Sequence, residues 1–249
     1  MSDRLDPVTE YLQNASALID RLLATQLAQI ERAGDLVANA IAADALVHVF
    51  GSGHSHILAE ELFYRAGGLA AVDPILRDEL MLHRSAVEST VLEREPGRGA
   101  AIFESLVVSP GDVLIVASNS GGNLVAAELA SAAGAVGMPV VAIVSLEHAS
   151  SSGSLRGGVS TLVELADVVI DNGGVAGDAA VSVPGVPAPV GPTSTVVGAA
   201  IVNAIAVRAV SQAVAAGHAP GVFSSSNMAG GDANNRELLG RYQGRVRSL

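Results

Sequence analysis

Apolar positions along this chain follow two rhythms. Near the N-terminus Val8, Leu12, Ala15, Ile19 and Leu22 recur at steps of four and three, and Leu27, Ile30, Leu36 and Val37 extend the stripe. That spacing places them on one helical face, so residues 7–42 are predicted as helix, opened by Asp6-Pro7, with Gly34-Asp35 as the expected break. Short, mostly apolar runs at 46–50, 113–117, 140–144 and 168–170 read as buried strands, with a shorter one near 70–72 ending at Asp73-Pro74. Helices are expected over 55–66, 77–92, 101–106, 124–133 and 193–216, with a last one near 236–245. Residues 94–99, 146–158 and 173–192 are polar or rich in Gly, Ser and Pro, and read as loops. Strands alternating with helices predict an α/β fold, a three-layer doubly wound parallel sheet. The 249 residues show no linker and read as one domain: a helical extension (1–42), a core (43–217) and a tail (218–249).

Composition narrows the chemistry. Apolar residues make up 49% of the chain but aromatics only 3%, so the core must be built from Ala, Val, Leu and Ile, which suits helices packed closely on a parallel sheet. There is no cysteine, hence no disulfide, thiolate nucleophile or Cys-ligated zinc. Net charge is −11, and all 14 basic residues are arginine. Without lysine there is no Schiff-base chemistry, no pyridoxal phosphate attachment and no P-loop lysine. An acidic chain with no basic run argues against a nucleic-acid partner. Apolar stretches are interrupted before membrane-spanning length and no basic-then-apolar leader opens the chain, so no membrane partner and a cytoplasmic location are expected.

Two of the predicted strands run into small, hydroxyl-bearing glycine turns that lead into helices. The first turn is Gly51-Ser52-Gly53-His54-Ser55 and the second Ser118-Asn119-Ser120-Gly121-Gly122-Asn123. A helix start offers unpaired N–H groups and the positive end of a dipole, so an anion can sit there without lysine. Glycine lets the backbone close on the ligand and serine adds donors without bulk. Two such turns at one edge of a parallel sheet would grip a phosphate beside a crevice, which points to a phosphorylated small molecule. Pro192-Thr193-Ser194-Thr195 offers capping hydroxyls at a third helix start. His54 and His56 flank Ser55 and are auxiliary candidates for the missing cation. As a metal pair they lack an evident third ligand, so neither metal nor other cofactor is expected. Reading the Gly51–Gly53 turn with Asp73 as a dinucleotide site fails where Ser55 and His56 occupy the region that needs a small third residue.

In this order, these motifs resemble the SIS (sugar isomerase) domain. A G-x-G-x-S turn matches Gly51, Gly53 and Ser55; an S-x-S-G-x-[TN] turn matches Ser118, Ser120, Gly121 and Asn123; a Pro-Thr-x-Ser/Thr helix start matches Pro192 to Thr195. The likeness implies a flavodoxin-like five-stranded parallel sheet over about residues 43–217 that binds phosphosugars. It implies that Ser55, Ser118, Ser120 and Asn123 hold the phosphate, with Ser52 and Asn119 beside them, and that Thr193 and Ser194 line the sugar pocket. The chain also resembles stand-alone SIS proteins labelled phosphosugar or phosphoheptose isomerases, through residues 79–83, 145–147, Asp171-Asn172, Gly177-Asp178 and the tail around Asn227 and Asp232.

The activity so implied is aldose–ketose isomerisation of a sugar phosphate or amino-sugar phosphate. The alternatives are a non-catalytic phosphosugar sensor and a lyase acting on N-acetylmuramic acid 6-phosphate. Isomerisation needs a base between C1 and C2 and donors that steady the enediolate. Glu79 and His83 stand four residues apart in a predicted helix, so both would project from one face; they are the proton-transfer candidates, with Glu61 on the helix after Ser55 a further one. The long N-terminal stripe exceeds what one sheet face needs and predicts a homodimer or homotetramer.

Overall fold

In the computed structural model, which describes residues 5–151 and 160–249, the N-terminal stretch is two helices, α1 (Pro7–Thr25) and α2 (Leu27–Ala42). Asp6 caps α1 by accepting from the Val8 and Thr9 N–H groups. The break falls at Gln26, not at Gly34-Asp35. Gly34 lies inside α2 because a Cβ there would collide with the side chain of Arg208 on the facing helix. Glycine serves close packing here, not termination.

The sheet holds β1 (Val47–Gly51), β2 (Val72–Ile75), β3 (Val113–Ala117), β4 (Val140–Val144) and β5 (Val168–Asp171) in the order β2-β1-β3-β4-β5, all parallel. Val47 is in register with both Val72 and Val113. β2 includes Asp73-Pro74 instead of ending there, which a proline tolerates because β2 is an edge strand. Val49, Ile115, Ile143 and Ile170 face α2, α3 (Ile57–Leu62) and α9 (Ser194–Ala215). On the other face Phe50, Leu114, Val116 and Ala142 meet α5 (Arg98–Glu104), α6 (Leu124–Ala135) and α8 (Leu162–Leu165). By length and composition α9 is apolar enough to cross a membrane, yet its Val197, Ile201, Ile205 and Ala209 are buried in the core beside α2.

The helix predicted over 77–92 is broken. Asp78–Leu80 form one 3-10 turn, Met81 is extended, and α4 (Leu82–Leu92) carries a non-helical residue, Ser85. Leu80 and Met81 are buried, and that anchoring interrupts the helix. Residues 146–151 are helical as α7 (Leu146–Ser151); the remainder of the loop predicted there, 152–158, lies outside the described residues. Between 173 and 192 the chain forms a small antiparallel pair, β6 (Ala179–Val181) with β7 (Val190–Pro192). The last helix, α10 (Gly231–Tyr242), starts five residues earlier than its polar sequence suggests.

Candidate functional site

Strand order reverses between β1 and β3, so the crevice of a doubly wound sheet must open at their C-terminal ends. Both glycine turns are there. Gly51 ends β1 pressed against the Ser55 main chain, where a Cβ would overlap it, and Gly53 takes φ 56° to start the 3-10 turn Gly53–His56. Gly121 takes φ 61° in the second turn, and Asn123 caps α6 by accepting from the Val125 N–H at 3.1 Å. These backbone conformations are what glycine supplies without strain.

A narrow crevice of about 20 Å³ lies between the turns. His54 and Ser55 line it from the first turn, and Ser118 and Asn119 from the second. Ser194 and Thr195 close its far side at the start of α9, over a floor that includes Ala117 and Ile143. The structure thus brings Ser55 and Ser118, far apart in sequence, to one cavity. Among the described residues no arginine lines it. Asn172, after β5, is a lining residue that the sequence reading named for the resemblance but not as a site candidate; its Nδ2 donates to Asn119 Oδ1 at 2.9 Å. Ser120 sits half-buried in the second turn.

Ser52 and Asn123 are not among the residues lining the crevice. Ser52 Oγ donates to Glu93 Oε2 at 3.0 Å, and Asn123 Nδ2 donates to the same oxygen at 2.9 Å and to Ser52 Oγ at 2.8 Å. Glu93, just beyond α4, thereby bridges the two turns, and its carbonyl also accepts from the Val125 N–H. Nothing in its local sequence signals this; the packing of α4 against the first turn brings it there.

The third helix start is already filled. Asp178 holds φ 68° and its carboxylate accepts from the Thr193 N–H at 3.1 Å, the Ser194 N–H at 2.9 Å and Ser194 Oγ. A carboxylate of the chain itself satisfies the end of α9, so Thr193 and Ser194 present no open anion site. Thr193 is fully buried, with its Oγ1 unpartnered among the described residues.

The proposed proton-transfer residues lie elsewhere. Glu79 is 3.5 Å from Arg98 Nη1 and lines a separate, wider cavity with Arg77 and Ser105. His83 is solvent-exposed on α4, and the extended Met81 between it and Glu79 removes the shared helical face. Glu61 pairs with Arg65 and accepts from Asn203 Nδ2 at 2.7 Å, toward α9. His56 gives its Nδ1–H to the Gly53 carbonyl, with Glu60 3.7 Å from Nε2. Among the described residues no group of three or more His, Asp or Glu side chains is arranged to hold a metal.

At the opposite end of the sheet, His48 is buried between Asp73 (2.9 Å from Nδ1) and Asp112 (3.2 Å from Nε2). Burial opposes its charge, but hydrogen bonds to Asp112 and Asp73 outweigh that and raise its pKa to about 9. Asp112 is held below the ordinary carboxylate value: burial works the other way, and the bonds to His48 and to the Leu46 and Ser109 N–H groups prevail. This cluster joins strands and does not face the crevice.

The SIS domain family model matches residues 10–145. A UPF0309 protein of Listeria monocytogenes serotype 4b is 39% identical over 96% of this chain and 97% of its own. A UPF0309 protein of Brucella canis is 42% identical over 95% of this chain and 94% of its own. Among solved structures, phosphoheptose isomerase from Neisseria gonorrhoeae superposes with a TM-score of 0.50 at 16% identity, covering 82% of this chain and 97% of that one. That likeness is one of fold.

Proposed function

The chain belongs to the SIS domain family, and we propose on that premise that its crevice binds a phosphorylated sugar and interconverts its aldose and ketose forms. One observation carries the binding: Ser55 and Ser118, each in a glycine-bearing turn at the C-terminal end of a neighbouring strand, line the same small cavity. Main-chain N–H groups and hydroxyls, with His54 beside them, form the phosphate end, while Asn119, Asn172 and Thr195 supply polar groups for a sugar chain.

A thermal-shift panel of hexose, hexosamine and heptose phosphates tests this reading. Ligand at a hundred times its Kd adds about 2.7 kcal/mol of stability, enough to see as a raised Tm. Ser118→Ala with Ser120→Ala should abolish the shift while leaving the ligand-free Tm near that of the unmutated chain. No shift with any sugar phosphate would sink the reading. The position of Glu79, His83 and Glu61 away from the crevice favours, as the second reading, a sensor that binds without turnover. Incorporation of solvent deuterium into a bound sugar phosphate separates the two.

A further inference from the structure

The wider cavity beside the edge strand shares no lining residue with the crevice. Its volume is about 370 Å³, and Arg77, Glu79, Glu95, Arg98 and Ser105 supply its polar lining. That is the size range of sites for small molecules. Arg77, two residues past β2, is half-buried, and no carboxylate lies within ion-pair distance of it among the described residues. Its Nη2 donates to Ser105 Oγ and, at 3.5 Å, to the Ile102 carbonyl. Its Nε is shut from solvent without a partner, and its Nη1 has none among the described residues. A second guanidinium converges on the same residue: Arg247 Nη2 donates to the Ser105 carbonyl. Burial and the neighbouring Arg247 lower the Arg77 pKa, against the weaker pull of Glu79 and Asp73. The chain therefore leaves positive charge there uncompensated, which is costly unless an anion joins it.

The other charged lining has the opposite sign. Arg98 is shared by two carboxylates, Glu95 (3.1 Å from Nε) and Glu79 (3.5 Å from Nη1), so this trio keeps one net negative charge. The Gly97 and Gly99 N–H groups at the start of α5 are already taken by Glu128, so anion binding falls to the guanidinium. We propose that this cavity is a second ligand site, for a phosphate monoester bearing an amine, with the phosphate on Arg77 and the ammonium group against Glu79 and Glu95. A guanidinium fork suits an oxyanion, and with Arg247 adjacent two positive charges match a phosphate dianion better than a carboxylate. A phosphate without the amine meets the acidic trio with nothing to offset it, and an amine without the phosphate meets Arg77. The site stands apart from whatever the crevice binds.

Calorimetry on the full chain carrying Ser118→Ala and Ser120→Ala tests this with the crevice silenced. The probes are glucosamine 6-phosphate, glucose 6-phosphate, which has a hydroxyl in place of the amine, and glucosamine, which lacks the phosphate. One equivalent of glucosamine 6-phosphate should bind, about tenfold or more tightly than either other probe. Adding Arg77→Gln should weaken it about tenfold or more. Adding instead Glu79→Gln with Glu95→Gln, both on partly exposed side chains, should bring the two sugar phosphates level. Equal affinity for the two sugar phosphates before that change, or binding indifferent to Arg77→Gln, overturns the site. Should Arg77→Gln fail to fold, the glutamate pair decides: an unchanged preference for the amine overturns it. Binding by the parent chain that vanishes in the serine variant assigns the ligand to the crevice, which sinks this inference and leaves the crevice reading standing. Binding that survives in the serine variant and is lost with Arg77→Gln upholds the site whether or not the crevice binds anything.

Discussion

In β1, His48 donates both ring N–H groups to carboxylates and so is held as an imidazolium inside the protein. Its folded pKa of about 9 exceeds the ordinary 6.5, so folding takes up protons between those values. The stabilisation is complete below pH 6.5 and is lost as pH rises through about 9. Asp112, whose pKa is lowered, acts in the opposite sense: its contribution holds above the ordinary carboxylate range and fades as acid protonates it. A chain with no lysine or cysteine has few other groups that titrate between pH 7 and 10, so urea unfolding at pH 6.5, 8 and 9.5 should report largely on His48. We expect stability to fall across that series, and His48→Gln to be flatter across it and less stable at pH 7 by about 3–5 kcal/mol, the scale for stranding a buried ionic partner. Equal slopes in the two proteins would exclude the imidazolium.

Among the elements, the start of α9 shows that an anion-type sequence need not make an anion site. Pro192-Thr193-Ser194-Thr195 carries the hydroxyls, but Asp178 fills the end of the helix, with its Oδ1 and that of Asn172 both close to Gly174 beside the crevice. On the proposed reading an anion sits at the turns after β1 and β3, and the Asp178 carboxylate, bonded to the crevice-lining Ser194, stands at the other side. A sugar phosphate with a hydroxyl or carbonyl at its far end fits this polarity, and one ending in a second carboxylate does not. Calorimetry should find a hexitol 6-phosphate bound about tenfold or more tightly than the matching hexonate 6-phosphate, since like charges placed together are costly. Asp178→Asn, which still caps and still tolerates a left-handed backbone, should shrink that ratio; an unchanged ratio would refute this role of Asp178. The strands and both glycine turns were legible because apolar runs and glycine positions report backbone demands directly. Glu93 and Asp178 were not, since one meets residues 41 and 30 positions away and the other lies in a stretch without period. Glu79 and His83 were expected on one helical face because a polar window resembles a solvated helix, whereas buried Leu80 and Met81 break it.

For the whole molecule, what needs explaining is the outer side of α1. Its Ala15 and Leu22 are buried, and its polar side chains tie it down: Tyr11 Oη donates to the Pro192 carbonyl and Arg21 reaches Asp171. Yet Val8, Leu12 and Leu23 are each more than 60% exposed, with Ile19 in the same stripe. Spacings of four, seven and four keep Val8, Leu12, Ile19 and Leu23 on one face of α1, beyond what the sheet uses. A contiguous apolar strip on a firmly held helix suits a two-fold pairing with a second copy of the chain, in which the same strip meets itself. Burying a leucine there contributes about 1.5–3 kcal/mol, so Leu12→Glu with Leu23→Glu removes four such terms across a symmetric seam and adds like charges to it. Light scattering behind size exclusion should give twice the 25.0 kDa chain mass, or a multiple of it, for the unmutated protein and a single chain mass for the double variant. Because α1 also braces Asp171, whose carboxylate accepts from the Leu146 and Gly173 N–H groups beside Asn172, dissociation should loosen the far wall of the crevice. The double variant should then bind a hexitol phosphate more weakly than the parent despite an untouched phosphate end. An unmutated chain that elutes at a single chain mass at micromolar concentration would leave the strip without its partner.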